Sequence, residues 1–324
     1  MISLPQELVD AIIDQVDDNL TLKSCALVSG SFLSSAQRKL FRAIQIFDTQ
    51  KSLPDHSHFL SESPHIAFYI RDLTIRSDPD DHTALIHIFA VARNVERFNL
   101  ILAEMPNENP GFMPALVDYL SRPTLRFLGL FYTQGVPSTV ISAAMAVLSV
   151  FFWRVSMDAT EFPQSDVTPR VRQLSLLYSG SAVLAICDFL LHPGKSLYTD
   201  HIEYVEIRMD SDSASYDHRF LSACAGTLRF LAIDPGALED TINLPYLPFV
   251  LGVEIEILVD ANRQLPHHFP STLKRIASSL PAVETITLSF PVLPRQSEIA
   301  WPDQGVLPIL GPSFKERTEL LHLR

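Results

Sequence analysis

One apolar pattern returns along most of this chain, and it restricts the fold more than any other feature. Ile70-x-x-Leu73-x-Ile75 is followed by Val95-x-x-Phe98-x-Leu100, Leu125-x-x-Leu128-x-Leu130 and Val150-x-x-Trp153-x-Val155. The series continues with Val171-x-x-Leu174-x-Leu176, Ile202-x-x-Val205-x-Ile207, Leu228-x-x-Leu231-x-Ile233 and Val283-x-x-Ile286-x-Leu288. Between the last two, Val253, Ile255, Ile257 and Val259 alternate as a strand without the full motif. Taken at the central apolar position, with Ile255 standing for the irregular strand, the steps are 25, 30, 25, 21, 31, 26, 24 and 31 residues. A strand and a helix cannot bury both their apolar faces alone, whereas neighbours in a stack can. Recurrence at this spacing therefore predicts stacked strand–helix units.

The intervening segments agree. Residues Asp81 to Ala92, Phe112 to Leu120, Ser181 to Leu191, His218 to Ala225 and Ser271 to Leu280 read as helices. Several stop at a breaker, namely Pro123, Pro193–Gly194, Gly226 or Pro281. Val140 to Trp153 is a 14-residue apolar stretch, too short for a membrane span, and predicts a buried helix running into a strand. The LxxLxL form makes residues 65–324 similar to a leucine-rich-repeat domain. An α/β solenoid is expected, with Phe314 to Leu323 as a closing helix or a cap over the sheet edge. An ordinary α/β sandwich with a doubly wound sheet is the alternative architecture. Residues 48–64, rich in Pro, His and Ser, read as a linker.

The first 47 residues carry a different pattern. Leu8, Ile12 and Val16 recur every four residues, with Val9 and Ile13 beside them, as on an amphipathic helix. Pro5 suits its first turn, and Ser3 with Gln6 fits a loose capping box. Leu22, Cys25, Ala26, Leu27 and Val28 give a second helix its apolar face; Phe32, Leu33, Ala36, Leu40 and Phe41 give a third. So few residues bury little apolar area and lean on a partner. In order, LPQELVDAIIDQV, LTLKSCALVSGSF and QRKLFRAI resemble the F-box, in its fungal form. That resemblance implies docking on a Skp-type adaptor and, through it, a cullin, as the non-catalytic substrate receptor of a ubiquitin ligase. It implies Leu4, Pro5, Leu8, Ile12, Leu27, Val28 and Phe32 as the main docking residues, with Leu40 and Phe41 at the far edge. The alternative is a stand-alone repeat scaffold whose first helices only cap the solenoid.

Charge narrows the partners. The chain has 25 Lys and Arg against 37 acids, a net charge of −12, which argues against a general nucleic-acid binder. The sparse Cys25, Cys187 and Cys224, and an opening without a secretory signal, point to the cytoplasm or nucleus. No dinucleotide, Walker, nucleophile-elbow or zinc motif occurs, so no cofactor and no metal are expected. Adjacent His267 and His268 diverge, His56 and His58 fall in the linker, and His82 and His87 do not share a helix face. Asp78, Asp80 and Asp81 read as a solvated turn. A protein target would meet the outward face of the strands. The candidates there are Arg97, Phe127, Phe131, Arg154, Tyr204, Arg208 and Phe230, with Asp158, Glu206, Asp234, Glu254 and Glu256 among their neighbours. Aromatics and arginine are the types that anchor interfaces.

Overall fold

Among the described residues ten parallel strands follow one another in sequence order, most of them separated by helices. The computed structural model describes residues 4–47, 53–77, 82–102, 104–105, 109–157, 169–177, 180–191, 199–208, 214–234, 243–256, 269–291 and 318–323. The chain forms two compact units, Met1–Leu128 and Gly129–Arg324.

In the first unit, α1 (Gln6–Asp14), α2 (Asn19–Val28) and α3 (Gly30–Leu40) lead into β1 (Ala43–Phe47). Then come α4 (Leu53–Glu62), α5 (Pro64–Tyr69), β2 (Asp72–Ser77), α6 (His82–Val91), β3 (Arg97–Leu102) and α7 (Phe112–Leu120). Strands β1, β2 and β3 pair in parallel, aligning Ile44 with Leu73 and Phe98, and Ile46 with Ile75 and Leu100. Behind them Phe89, Phe98 and Tyr119 interlock, with Phe89 stacked on Tyr119 at 4.9 Å and Phe98 edge-on to it at 5.1 Å. Two expectations change here. Residues 53–62 of the proposed linker are α4, because Leu53, Ser57 and Leu60 form a buried stripe along it. The Ser57 hydroxyl also lies 2.7 Å from His87 Nδ1 on α6. Ile44 and Ile46 belong to a strand, so the sheet begins before residue 48.

β4 (Phe127–Phe131) contains the division. The second unit continues with α8 (Ser138–Ala144), β5 (Ser149–Trp153), β6 (Gln173–Leu177), α9 (Gly180–Leu190) and β7 (Tyr204–Arg208). It ends with α10 (Ala214–Ala223), β8 (Phe230–Asp234), β9 (Gly252–Glu256), α11 (Phe269–Ser279), β10 (Thr285–Pro291) and β11 (Thr318–Leu323). β5 to β10 are parallel, and the register places Val150, Leu174, Val205, Leu231, Val253 and Ile286 in one row. Phe152, Leu176, Ile207, Ile233, Ile255 and Leu288 form the next row, all buried. These rows are the core, and removing each from water stabilises the fold by roughly 1.5–3 kcal/mol per side chain.

The rows correct two registers. The motif at β5 is Val147, just before the strand, with Val150 and Phe152 on it, and not Trp153. Val250, Val253 and Ile255 complete the motif on β9 that the sequence reading left irregular. β11 pairs antiparallel with β10, so residues 318–323 cover that edge as a strand and not as a helix. Most steps between parallel strands are tied by one carbonyl that accepts two successive amides at the start of the next strand. Arg42 O takes Arg71 and Asp72, Arg71 O takes Glu96 and Arg97, Arg172 O takes Glu203 and Tyr204, and Glu203 O takes Arg229 and Phe230.

Candidate functional site: the N-terminal helices

Helix α1 lies parallel to α3, held by polar contacts at both ends. At the start, Gln6 Nε2 donates to Asp10 (2.9 Å), to the Ser35 hydroxyl (2.9 Å) and to Ser31 O (3.3 Å). The Ser35 hydroxyl donates to Asp10, and Arg38 lies 3.7 Å from the same carboxylate. These hydrogen bonds, Ser35 first, hold the Asp10 carboxyl below its ordinary range. At the other end, Lys39 Nζ donates to Asp14 O (2.7 Å) and Ile13 O (3.2 Å), satisfying carbonyls that the helix terminus leaves open. Gln6 therefore clamps helices together; Pro5 is the N-cap of α1 with no side-chain cap, and Ser3, the expected capping-box partner of Gln6, lies outside the described residues. Asp18 caps α2, its carboxylate accepting from Thr21 N at 2.8 Å.

This clamp fixes which apolar residues turn inward. Val9, Ile13, Leu22 and Ala36 form a small sealed cluster, with Val16, Cys25, Ala26, Phe32 and Leu40 packed against it. The neighbouring positions turn outward. Leu8 is 52% exposed, Ile12 47% and Leu27 88%; Leu4, Leu20, Val28 and Leu33 are exposed as well. Half of the exposed large apolar side chains among the described residues thus come from residues 4–33. Such concentration marks a surface that excludes water against something else.

The docking residues drawn from the F-box resemblance divide accordingly. Leu4, Pro5, Leu8, Ile12, Leu27 and Val28 are solvent-facing. Phe32 and Leu40 are not: the helical period of α3 sets them in line with Ala36, so they close the inner cluster. Phe41 is half-buried, its ring 6.2 Å from that of Phe59. Leu20 and Leu33 join the exposed set although the sequence reading did not name them as docking residues. Each lies one turn from Ser24 or Gln37, and that polar spacing was the available signal.

On the outward strand face, Arg97 lies 3.6 Å from Asp72 and its guanidinium sits 4.7 Å over the Phe127 ring. Phe131 is only 7% exposed, against expectation, because it packs on Phe151 at 5.4 Å. Phe151 and Trp153, which the shifted motif had hidden, share that outward face. Arg154 follows β5 at φ 52°. Tyr204 is half-buried, Phe230 is 51% exposed, and Arg208 pairs with Asp234 at 3.4 Å. Asp78, Asp80, Asp81, Asp158, His267 and His268 lie outside the described residues.

No family model and no curated protein matches this chain. Among the described residues no group of three or more His, Cys, Asp or Glu is placed to hold a metal. No described helix is long and apolar enough to cross a membrane. Cys187 and Cys224 are free and buried, and burial pushes both thiols up.

Proposed function

We propose that this protein is a non-catalytic receptor subunit of a Skp–cullin–F-box ubiquitin ligase. In this reading residues 4–40 are an F-box-like three-helix module that docks on a Skp-type adaptor. The strands and helices that follow are an irregular leucine-rich-repeat-like solenoid that holds a protein target. The observation that carries the reading is the division of α1, where Val9 and Ile13 seal a private cluster while Leu8 and Ile12 stay in solvent. A helix made only to cap its own chain has no use for the second pair. The mechanism is proximity, since holding target and charged ubiquitin carrier in one assembly raises their effective concentration.

Co-expression of the full chain with a Skp-type adaptor tests this. The wild-type chain should co-purify with the adaptor, and Leu8→Asp or Leu27→Asp should abolish capture at unchanged melting temperature. Capture undiminished by both variants would defeat the proposal. A second reading, a stand-alone scaffold whose first helices serve the fold, draws on β1, which follows α3 closely and pairs with β2. Failure of the wild-type chain to capture the adaptor would favour it.

A further inference from the structure

The outward face of β7, β8 and β9 carries an exposed aromatic strip beside a row of carboxylates. Tyr204, Phe230 and Gly252 stand side by side in register. The Phe230 ring lies across Gly252, where an added Cβ would come within 2.8 Å of the ring; only glycine leaves that room. Phe249 and Leu251, just before β9, are also exposed, and Arg229 stacks on Phe249 at 5.1 Å. Glu206, Ala232 and Glu254 occupy the next outward row, about 7 Å further along the strands. Beyond it come the Arg208–Asp234 pair and Glu256.

Charge decides what such a strip accepts. On the outward faces of β6 to β10, Arg208 is the one cation among the described residues; it pairs with Asp234, and Glu256 lies near this pair and near Glu206 and Glu254. Ser289 Oγ donates to Glu254 Oε1 at 2.7 Å, which fixes that carboxylate in place. Burial first, then Asp234, Glu206 and Glu254, pushes the Glu256 carboxyl up to about 7. An incoming cation would relieve this crowding, whereas nucleic acid or an acidic chain would add to it.

We infer that this face binds a basic polypeptide segment, one bulky apolar residue seating on Phe230 and Lys or Arg side chains two to four positions away meeting Glu254 and Glu256. The inference rests on reading the strand face as the target surface and names the chemistry of the target. It does not depend on what the N-terminal helices bind.

The test uses the full chain and three fluorescein-labelled synthetic peptides read by fluorescence anisotropy. One carries a Phe and three Lys at that spacing, the second has Glu for each Lys, and the third has Ser for the Phe. The basic aromatic peptide should bind saturably, weaken with added salt, and bind about tenfold tighter than either relative. The double variant Glu254→Gln/Glu256→Gln should weaken it about tenfold, and so should Phe230→Ser, whose exposed position protects the fold against misfolding. Equal binding of the basic and acidic peptides, unchanged binding by both variants, or no saturable binding of the basic peptide would overturn the inference. Adaptor capture, measured on the same preparation, reports on the ligase reading separately: its loss with peptide binding intact leaves this inference standing.

Discussion

The Arg154 guanidinium sits 5.6 Å from the centre of the Tyr132 ring, and both residues hold positive φ, 52° and 56°. They occupy equivalent places, one residue beyond β5 and β4. From there the Tyr132 amide donates to Trp153 O at 2.8 Å, and the Arg154 amide to Leu177 O at 3.0 Å. A left-handed backbone at a residue with a Cβ costs roughly 1–2 kcal/mol. Arg154→Gly should therefore stay within about 1 kcal/mol of wild type in urea unfolding, whereas β-branched Arg154→Val should lose about 2 kcal/mol. Equal stability of the two variants would contradict this account of the strand ends.

Two adjacent isoleucines should respond very unequally to truncation. Ile13→Ala empties a fully buried place in the helical cluster and should cost about 3 kcal/mol by denaturant unfolding. Ile12→Ala removes an exposed side chain and should stay within about 0.5 kcal/mol.

Glu256 gives a pH signature with a defined sign. Its carboxyl titrates near 7 in the folded chain, above the ordinary value of 4.5. The fold therefore disfavours the charged form, and stability present below about pH 4.5 declines as pH rises through about 7. Glu256→Gln should raise the melting temperature at pH 8 and leave it unchanged near pH 4. A pH-independent difference would show that the carboxylate is not crowded.

Deleting residues 1–47 should lower the melting temperature and promote aggregation, since it strips β1 from β2 and leaves a bare edge. The full-length Leu8→Asp chain should melt as wild type. Light scattering and a thermal scan on the two proteins provide the comparison.

Substituting Gly252 with Ala should push the Phe230 ring outward, because the new methyl would collide with it. Stability should change by about 1 kcal/mol or less, since the ring is free to swing into solvent. A shift in the Phe230 ring resonances by NMR would report the displacement.

Much of the fold was legible because its core repeats. Leu73, Phe98, Leu128, Leu174, Val205 and Leu231, the central residues of six motifs, are all buried as their spacing implied. The failures have separate causes. At β5 the run SVFFW is apolar on both faces, so alternation could not tell Phe152 from Trp153, and a one-residue slip set Trp153 inward and hid Phe151 from the outward face, while Arg154 is exposed as expected. Phe131 was misplaced differently: its face was read correctly as outward, but its neighbour Phe151 covers it. β1 was missed although Phe41-x-x-Ile44-x-Ile46 fits the motif, because it directly follows a helical segment. On the N-terminal helices, periodicity alone could not separate Leu8 from Val9. The Gln6–Ser35 and Lys39–Asp14 clamps make that choice, and they are tertiary contacts that no local pattern announces.

Only Phe41 and Arg42 separate the third helix from the first strand, and the Arg42 carbonyl is already tied down by Arg71 and Asp72. There is no slack at this joint for a swivel. Anything that grips Leu8 or Leu27 is carried at a set bearing to β1, β2 and β3, so the handle and the opening turns of the sheet travel as one lever.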